Sequence, residues 1–224
     1  MITIEAVRKY FKHQLENEYY TTDRNGGKTI EMIGASFLAD EPAIFGKPNQ
    51  EYIDAEIAWY NSKSTNITDI YPEGDKEPPK AWQMTANVHG EINSNYGRLI
   101  WGAQYNKQYK QVVNELLDNQ DSRRASMIYT RPSIWTEYDA QGKNDFICTN
   151  AVTYYIRDDA LHCVVQMRSN DVVFGYKNDY AWQKYILEEL RKELYFHGLK
   201  TESGNIHWQV QNLHVYEKHF DLVK

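Results

Sequence analysis

The sequence predicts an α+β fold, in which helices and strands interleave without the regular strand–helix–strand alternation of a doubly wound sheet. Segments with apolar residues at helical spacing lie between apolar, β-prone runs that have the length of strands. The sequence contains no repeat, no low-complexity tract and no linker rich in Pro, Gly or Ser. Its 224 residues suffice for one sizeable core, so we expect a single domain over residues 1–224.

In the N-terminal half, spacing and turn residues predict a helix, a turn, a strand, a second helix and a polar loop. These elements cover residues 2–20, 23–27, 29–38, 51–60 and 72–79 in that order. The first helix is predicted from one apolar face, which consists of Ile4, Val7, Phe11 and Leu15.

In the C-terminal half, the pattern predicts two further helices and four strands. The helices cover residues 106–119 and 178–194. The strands cover residues 125–129, 146–156, 161–167 and 205–215. The strand at 161–167 alternates poorly but is apolar, which favours a buried position.

The charge balance argues against binding to a nucleic-acid polymer or an anionic membrane. Lys and Arg total 25, Asp and Glu total 31, and the formal net charge is −6 at pH 7. No basic tract stands out. A small anionic ligand is compatible with this composition, because a few arginines can hold one phosphate group in an acidic protein.

Cysteine usage and the N-terminus indicate a reducing compartment. Cys148 and Cys163 are the only cysteines, which is too few for a disulfide framework or a zinc site. The N-terminus lacks the apolar run of a signal peptide, and no stretch has the length of a membrane span. We therefore expect a cytoplasmic protein that uses no metal.

Cys148 is a candidate nucleophile, although a cysteine near a strand is more often a small buried hydrophobe. A nucleophilic cysteine needs a lowered pKa, which nearby cations supply. The sequence offers Arg123, Arg124 and Arg168, and several guanidinium groups facing the thiol would favour both a thiolate and a bound phosphate. Paired arginines usually lie on a solvated face, so that role also stays open.

Four other polar residues are candidates whose patterns are unspecific when each is taken alone. Glu56 lies in the helix predicted at 51–60, where it is either an exposed carboxylate or a group that orders a water and moves a proton. Asp179, His214 and Tyr216 are equally ordinary in isolation. A functional interpretation depends on their combination and order.

Ordered motifs over nearly the whole chain resemble the thymidylate synthase family. The segment Arg168-Ser169-Asn170-Asp171-Val172-Val173-Phe174-Gly175 resembles that family's Arg-Ser-x-Asp-x-x-x-Gly motif and begins twenty residues after Cys148. The other matches, in chain order, are Asp23-Arg24-Asn25-Gly26, Glu56-Ile57-Ala58-Trp59-Tyr60, Trp82, residues 90–97, Asp121-Ser122-Arg123-Arg124 and Leu213-His214-Val215-Tyr216. The resemblance implies a thymidylate synthase-like fold, a mixed β-sheet with flanking helices whose sheet face packs at a dimer interface.

The resemblance also implies a role for each matched residue. Cys148 would be the nucleophile, Glu56 and Tyr96 would serve proton transfer, and Asp179 would contact the pyrimidine ring. Core packing stays open as the role of Tyr96 and of Trp82. The substrate-binding residues would be Arg24, Arg123, Arg124, Arg168 and Ser169 at the phosphate, Asn170 of the same motif, and His214 and Tyr216 at the sugar. The folate would be contacted by Trp82, Asp171 and Gly175, and a homodimer would supply Arg123 and Arg124 from the other subunit.

Three departures from the family pattern point away from a thymidylate synthase, and the one at Asp179 indicates a cytosine nucleotide. Thymidylate synthases carry an asparagine at the place of Asp179, and this asparagine recognises N3 and O4 of uracil. Cytosine presents an N3 acceptor and an N4 amino donor, and a carboxylate accepts from the amino group and serves N3 through a shared proton. Thr149 replaces a histidine of the synthases, and Thr85 replaces their second tryptophan.

With these departures, the chain resembles the bacteriophage deoxycytidylate hydroxymethylases within that family. The resemblance implies transfer of a one-carbon unit from 5,10-methylenetetrahydrofolate to C5 of dCMP, followed by addition of water, in the host cytoplasm. Three alternatives stay open from the sequence: a thymidylate synthase, a CMP hydroxymethylase and an inactive nucleotide-binding relative.

Overall fold

The computed structural model describes residues 2–23 and 26–224, which form one six-stranded mixed sheet flanked by helices. The strand order is β1-β2-β6-β5-β4-β3. The strands are β1 (Thr21–Thr22), β2 (Lys28–Leu38), β3 (Ser126–Ile128), β4 (Thr149–Arg157), β5 (Ala160–Asp171) and β6 (Glu202–Tyr216). The predicted α+β class and the mixed sheet are confirmed.

Helices connect these strands and supply most of the remaining core. Within the described residues, the α-helices are α1 (Ile4–Glu16), α2 (Gln50–Ser62), α3 (Lys80–Thr85), α4 (Tyr96–Trp101), α5 (Gln108–Asp118), α6 (Ile134–Glu137) and α7 (Gly175–Phe196). Short 3-10 helices cover Ile67–Ile70, Ala103–Tyr105, Ala140–Gly142 and Glu217–Leu222. The apolar face predicted for α1 is confirmed, because Ile4, Val7 and Phe11 are fully buried.

The strand connections bring the ends of β5 and β6 together. β5 and β6 are parallel, whereas the other neighbouring strands are antiparallel. Parallel neighbours require a crossover, and α7 provides it. As a result, the carboxyl ends of β5 and β6 lie side by side where α7 begins, with Asp171 paired with His214.

One face of the central strands is buried and the other is partly exposed. Along β5, Leu161, Cys163 and Val165 are fully buried, and the intervening residues are half-buried or exposed. β6 alternates in the same way around Trp208. The strand predicted at 161–167 is therefore present, but it is buried on one face only.

Asparagine caps fix the start of the two helices that carry Glu56 and Tyr96. Asn49 accepts a hydrogen bond from the backbone N–H of Tyr52 at 3.3 Å, and Asn95 accepts one from the backbone N–H of Arg98 at 2.8 Å. Each cap satisfies an amide that the first helical turn leaves unpaired. The caps therefore set where both side chains enter the interior.

Several predicted boundaries differ from the structure. β4 begins at Thr149 and not at residue 146, so Cys148 precedes the strand. α7 begins at Gly175, three residues earlier than predicted. Helices α3 and α4 were not predicted, because six residues are too few to show a helical period. None of the described helices has the length and apolar character to cross a membrane.

Candidate active site

Cys148 and Arg168 are cross-strand neighbours at the start of β4. The backbone N–H of Arg168 donates to Cys148 O at 2.9 Å, and Arg168 Nη2 lies 3.5 Å from Cys148 Sγ. The guanidinium also donates to Phe146 O at 2.5 Å and to Ile147 O at 3.0 Å. Arg168 therefore fixes the backbone of the segment that carries the thiol.

Within a single chain, the surroundings of Cys148 raise the pKa of its thiol. Burial raises the pKa of the half-buried thiol to about 11, and the opposing effect of Arg168 is smaller. The charges of Asp179 and Asp145 raise it further. Desolvation of a thiolate thus outweighs the attraction of the Arg168 guanidinium that contacts it.

Arg123 and Arg124 lie far from the thiol within this chain. They precede Ala125, whose carbonyl pairs with the backbone N–H of Tyr154 at 2.8 Å. Tyr154 is six residues further along β4 than Cys148, which corresponds to roughly 20 Å at about 3.3 Å per residue. Arg124 instead pairs with Glu115 at 2.9 Å and is largely exposed. The predicted Arg24 lies outside the described residues.

Glu56 is a buried carboxyl group held by two hydrogen-bond donors. The hydroxyl of Tyr52 donates to Glu56 Oε1 at 2.5 Å, and Trp82 Nε1 lies 3.2 Å from the same oxygen and 2.9 Å from the Tyr52 hydroxyl. Burial raises the pKa of Glu56 to about 7, although both donors lower it. A carboxyl group with this pKa can take up and release a proton near neutral pH.

Asp179 sits on the first turns of α7 beside Asn170. Asn170 Nδ2 donates to Asp179 Oδ2 at 2.8 Å, and Trp208 Nε1 donates to Asn170 Oδ1 at 3.3 Å. The indole N–H can only donate, so it fixes the amide with its oxygen toward Trp208 and its nitrogen toward Asp179. The buried pair of Asn170 and Trp208 therefore orients the carboxyl group of Asp179.

Burial also raises the pKa of Asp179, to about 8. The charge of Glu56 raises it further, whereas hydrogen bonds from Asn170 and Tyr96 lower it. Asp179 is therefore mainly a neutral carboxylic acid at pH 7, and a neutral acid presents one donor and one acceptor side by side.

Gly175 permits the close approach of these groups. A Cβ atom at this position would lie 3.0 Å from Asn170 Nδ2 and 3.8 Å from Asp179 Oδ2. Contacts of 3.0 Å to a Cβ atom are tight, so any side chain here would push the amide away from the carboxyl group.

Tyr96 links the segment that carries Cys148 to Asp179. Its hydroxyl accepts a hydrogen bond from Thr149 Oγ1 at 2.9 Å and lowers the pKa of Asp179 as a donor. Its ring stacks on Tyr60 at 5.2 Å. Burial raises the pKa of Tyr96 well above its usual value, so it acts here as a neutral donor and acceptor.

The remaining predicted residues lie at the carboxyl ends of β5 and β6. Asp171 accepts from the backbone N–H groups of Val173 and Phe174 at 2.9 and 3.2 Å, which fixes the turn into α7. His214 is paired with Asp171 in the sheet, and its ring lies 4.9 Å from that of Tyr216. Ser169 faces Asn212 of β6 and is half-buried.

Three residues at the site were not predicted from the sequence. Tyr52 lies four residues before Glu56 on α2, a spacing that places both on one helix face and could have indicated the pair. The sequence around Trp208 does not indicate its role, because its hydrogen-bond partner Asn170 lies on a different strand. Asp145 is buried and accepts from Ser94 Oγ at 2.6 Å, and it lies close enough to affect Cys148.

Comparison with known proteins shows the family of this chain. The sequence profile of the family described as thymidylate synthase matches residues 7–224. The chain belongs to the thymidylate synthase family. It is similar to the deoxycytidylate 5-hydroxymethyltransferases of Enterobacteria phages T4 and T6, each 51% identical over 99% of this chain and 89% of the relative.

Thymidylate synthases themselves are more distant relatives within the family. The enzyme of Buchnera aphidicola is 24% identical over 90% of this chain and 75% of its own length. The described residues contain no group of three or more His, Cys, Asp or Glu side chains that could hold a metal ion.

Proposed function

We propose that this chain is a deoxycytidylate 5-hydroxymethyltransferase, with residues 1–224 as one catalytic domain. The observation that carries the proposal is Asp179, a carboxylic acid at the place where thymidylate synthases have an asparagine, kept largely neutral by burial and oriented by Asn170. The 51% identity to phage enzymes of that name supports the same conclusion.

Base selection follows from the hydrogen-bonding groups of a neutral acid. Cytosine presents an acceptor at N3 and a donor at N4, and the acid offers the O–H and the C=O that these atoms require. Uracil presents a donor at N3 and an acceptor at O4. A neutral acid can satisfy this edge only with its hydroxyl at O4 and its carbonyl at N3, and ionisation would then repel O4. The two arrangements differ in the reaction: the proton of Asp179 can move to N3 of cytosine as Cys148 adds electrons to the ring, whereas N3 of uracil already carries a hydrogen and cannot take it.

Cys148 would open the reaction by attacking C6 of the cytosine ring. A covalent bond to C6 makes C5 nucleophilic, and C5 then bonds to the methylene carbon of the folate substrate. Asp179 would stabilise the charge that develops at N3 and N4. Because the pKa of Cys148 is about 11 in the described chain, further cations near the bound phosphate have to favour the thiolate.

Glu56 would direct the second half of the reaction. Loss of the C5 proton and departure of tetrahydrofolate leave an exocyclic methylene group on the ring. A water activated by Glu56 adds to this carbon, the electron pair returns through C5, and the bond from C6 to Cys148 breaks. Carbon, hydrogen and oxygen balance as dCMP, methylenetetrahydrofolate and water giving 5-hydroxymethyl-dCMP and tetrahydrofolate, with no net reduction.

A homodimer would complete the phosphate site. Arg123 and Arg124 lie too far from Cys148 in their own chain, and they project from the start of β3 into solvent. We infer that they reach the partner's site, where they join Arg24, Arg168 and Ser169 around the 5′-phosphate. The partly exposed face of the central sheet, which includes Gln166 and Gln209 hydrogen-bonded to each other at 3.1 Å, is the surface that we assign to the dimer.

The other matched residues would hold the sugar and the folate. His214 and Tyr216, at the end of β6, would contact the 3′-hydroxyl. Trp82, Asp171 and Gly175 would line the folate position, and Trp82 would do so while its indole N–H holds Glu56 and Tyr52. In this arrangement Glu56, the proposed proton-transfer group, would lie next to the reacting methylene carbon.

Product identification tests the proposal. The purified protein is incubated with methylenetetrahydrofolate and, separately, with dCMP, dUMP and CMP, and the products are identified by mass. The expected result is 5-hydroxymethyl-dCMP with release of tetrahydrofolate. Thymidylate with dihydrofolate, or a hydroxymethylated ribonucleotide as the main product, would contradict the proposal.

A further inference from the structure

A basic cavity lies between α4 and the segment that precedes β4, and Cys148 is not among the residues that line it. Its volume is about 210 Å³, below the roughly 300–1,000 Å³ of pockets that enclose drug-sized ligands. Three cationic side chains line it together with one carboxylate: those of Arg98, Arg131, Lys143 and Glu91.

Arg131 is held rigidly at the cavity wall with one donor left over. Glu137 pairs with its Nε and Nη2 atoms, and Nη2 also donates to the hydroxyl of Tyr105 at 3.1 Å. The guanidinium stacks over the Tyr105 ring at 4.8 Å. Nη1 is buried and has no hydrogen-bond partner among the described residues. An unpaired buried donor of this kind is costly, so an acceptor at this position would stabilise the protein.

Arg98 and Lys143 add two cations that form no ion pair within residues 2–23 and 26–224. The side chain of Arg98 makes no hydrogen bond within these residues. The side chain of Lys143 affects Glu137 and Asp145 only through its positive charge, which lowers their pKa values. Glu91 is the opposing charge on the wall, and Asn87 Nδ2 already donates to it at 3.0 Å. The unsatisfied donors at this cavity are therefore cationic.

We propose that this cavity binds a small oxyanion, a phosphate or carboxylate group, between Arg98, Arg131 and Lys143. Guanidinium groups bind such oxyanions through paired N–H donors, and a lysine adds a point charge. The volume limits the ligand to a free anion or one terminal group. This inference does not depend on the proposed transferase activity.

The position of the cavity gives the bound anion a structural consequence. Asn93 lines the cavity and donates through Nδ2 to the carbonyls of Glu137 and Asp145, both at 3.0 Å. Its backbone N–H donates to Asp145 Oδ2 at 2.6 Å. Asp145 lies three residues before Cys148. An anion that holds Arg131 and Lys143 in place would therefore stabilise the segment that leads to the thiol.

The test is titration of inorganic phosphate, followed by ³¹P NMR, into full-length protein saturated with dCMP to occupy the nucleotide-phosphate site. Acetate, which contains no phosphorus, is titrated separately at the same ionic strength, and its binding is followed through the rise in Tm. The double variant Arg98→Gln/Lys143→Gln removes two cavity cations. The control Lys12→Gln/Lys110→Gln removes two exposed cations elsewhere and gives the same change in net charge.

We expect phosphate or acetate to bind the wild type and the control equally, and the cavity variant to bind at least ten-fold more weakly. The anion should also raise the Tm of the wild type and of the control, but not that of the cavity variant. Equal binding by all three proteins, or no binding of either anion beyond the dCMP site, would overturn the proposal. If dCMP itself fails to bind, the proposed function is contradicted, and the difference between the two double variants still decides the oxyanion site.

Discussion

Replacing Asn170 with alanine is expected to raise the pKa of Asp179 and so extend activity to higher pH. The amide donates to Asp179 Oδ2 at 2.8 Å and lowers the pKa of that carboxyl group. A hydrogen bond to a charged group contributes about 1.5–3 kcal/mol, and about 1.4 kcal/mol corresponds to one pH unit. The pKa of Asp179, about 8 in the native chain, should therefore rise by about 1–2 pH units.

The same substitution should lower stability for a separate reason. It leaves Trp208 Nε1 unpaired in a fully buried position, which costs about 1–3 kcal/mol. The double variant Asn170→Ala/Trp208→Phe removes both partners and should recover part of this loss. It cannot restore the donor to Asp179, so its pKa should stay raised.

Two assays separate these effects. Denaturant unfolding measures the free energy of unfolding of wild type, single and double variants. The pH dependence of kcat/KM for dCMP, followed from about pH 6 to about pH 10, reports the pKa values of the free enzyme. An alkaline limb that is unchanged in the single variant, or that returns to its wild-type position in the double variant, would refute the role assigned to Asn170.

Four further predictions test the groups around this pair. Tyr52→Phe removes a donor at 2.5 Å from Glu56, so the acidic limb of kcat should move upward from about 7; an unmoved limb would exclude Glu56 as the titrating group. Alkylation of Cys148 by iodoacetamide in the dissociated chain, without the arginines of a partner, should rise about ten-fold per pH unit through the neutral range, because its pKa there is about 11; a plateau at neutral pH would contradict this. Gly175→Ala should lower kcat/KM for dCMP about ten-fold by displacing Asn170. Gly198→Ala, which strains a left-handed backbone (φ +88°) but would meet no neighbouring atom, serves as the control for a general loss of stability. Asp179→Asn should raise Tm more at pH 8 than at pH 5. The pKa of Asp179 is about 8 in the folded protein and about 3.9 in the unfolded chain. Keeping this carboxyl group buried therefore lowers the stability of the wild type by about 1.4 kcal/mol for each pH unit between these two values. An equal gain at both pH values would show that Asp179 is not buried as a neutral acid.

The sequence predicted most of what depends on local pattern. The helix at the N-terminus and the long strands were found because apolar spacing over ten or more residues reports the buried face. The matched motif around Arg168 located the candidate site, since its residues are contiguous in the chain. The short helices α3 and α4 were missed because each has six residues.

What the sequence could not provide is the environment created by distant segments. Strand register, which the sequence does not show, places Arg168 beside the Cys148 thiol and leaves Arg123 and Arg124 of the same chain at the other end of β4. The pairing of Trp208 with Asn170 likewise joins two residues that are 38 positions apart in sequence and lie on different strands. Such contacts follow from tertiary packing and have no local signature.

The central claim is that the neutral carboxyl group of Asp179 selects cytosine. It is tested most directly by comparing kcat/KM for dCMP and dUMP in the wild type and in Asp179→Asn, with release of tritium from C5 as a readout that does not depend on the product formed. The account predicts a strong wild-type preference for dCMP and a loss of at least about ten-fold for dCMP in the variant, with a smaller loss or a gain for dUMP. An unchanged preference for dCMP in Asp179→Asn would contradict it.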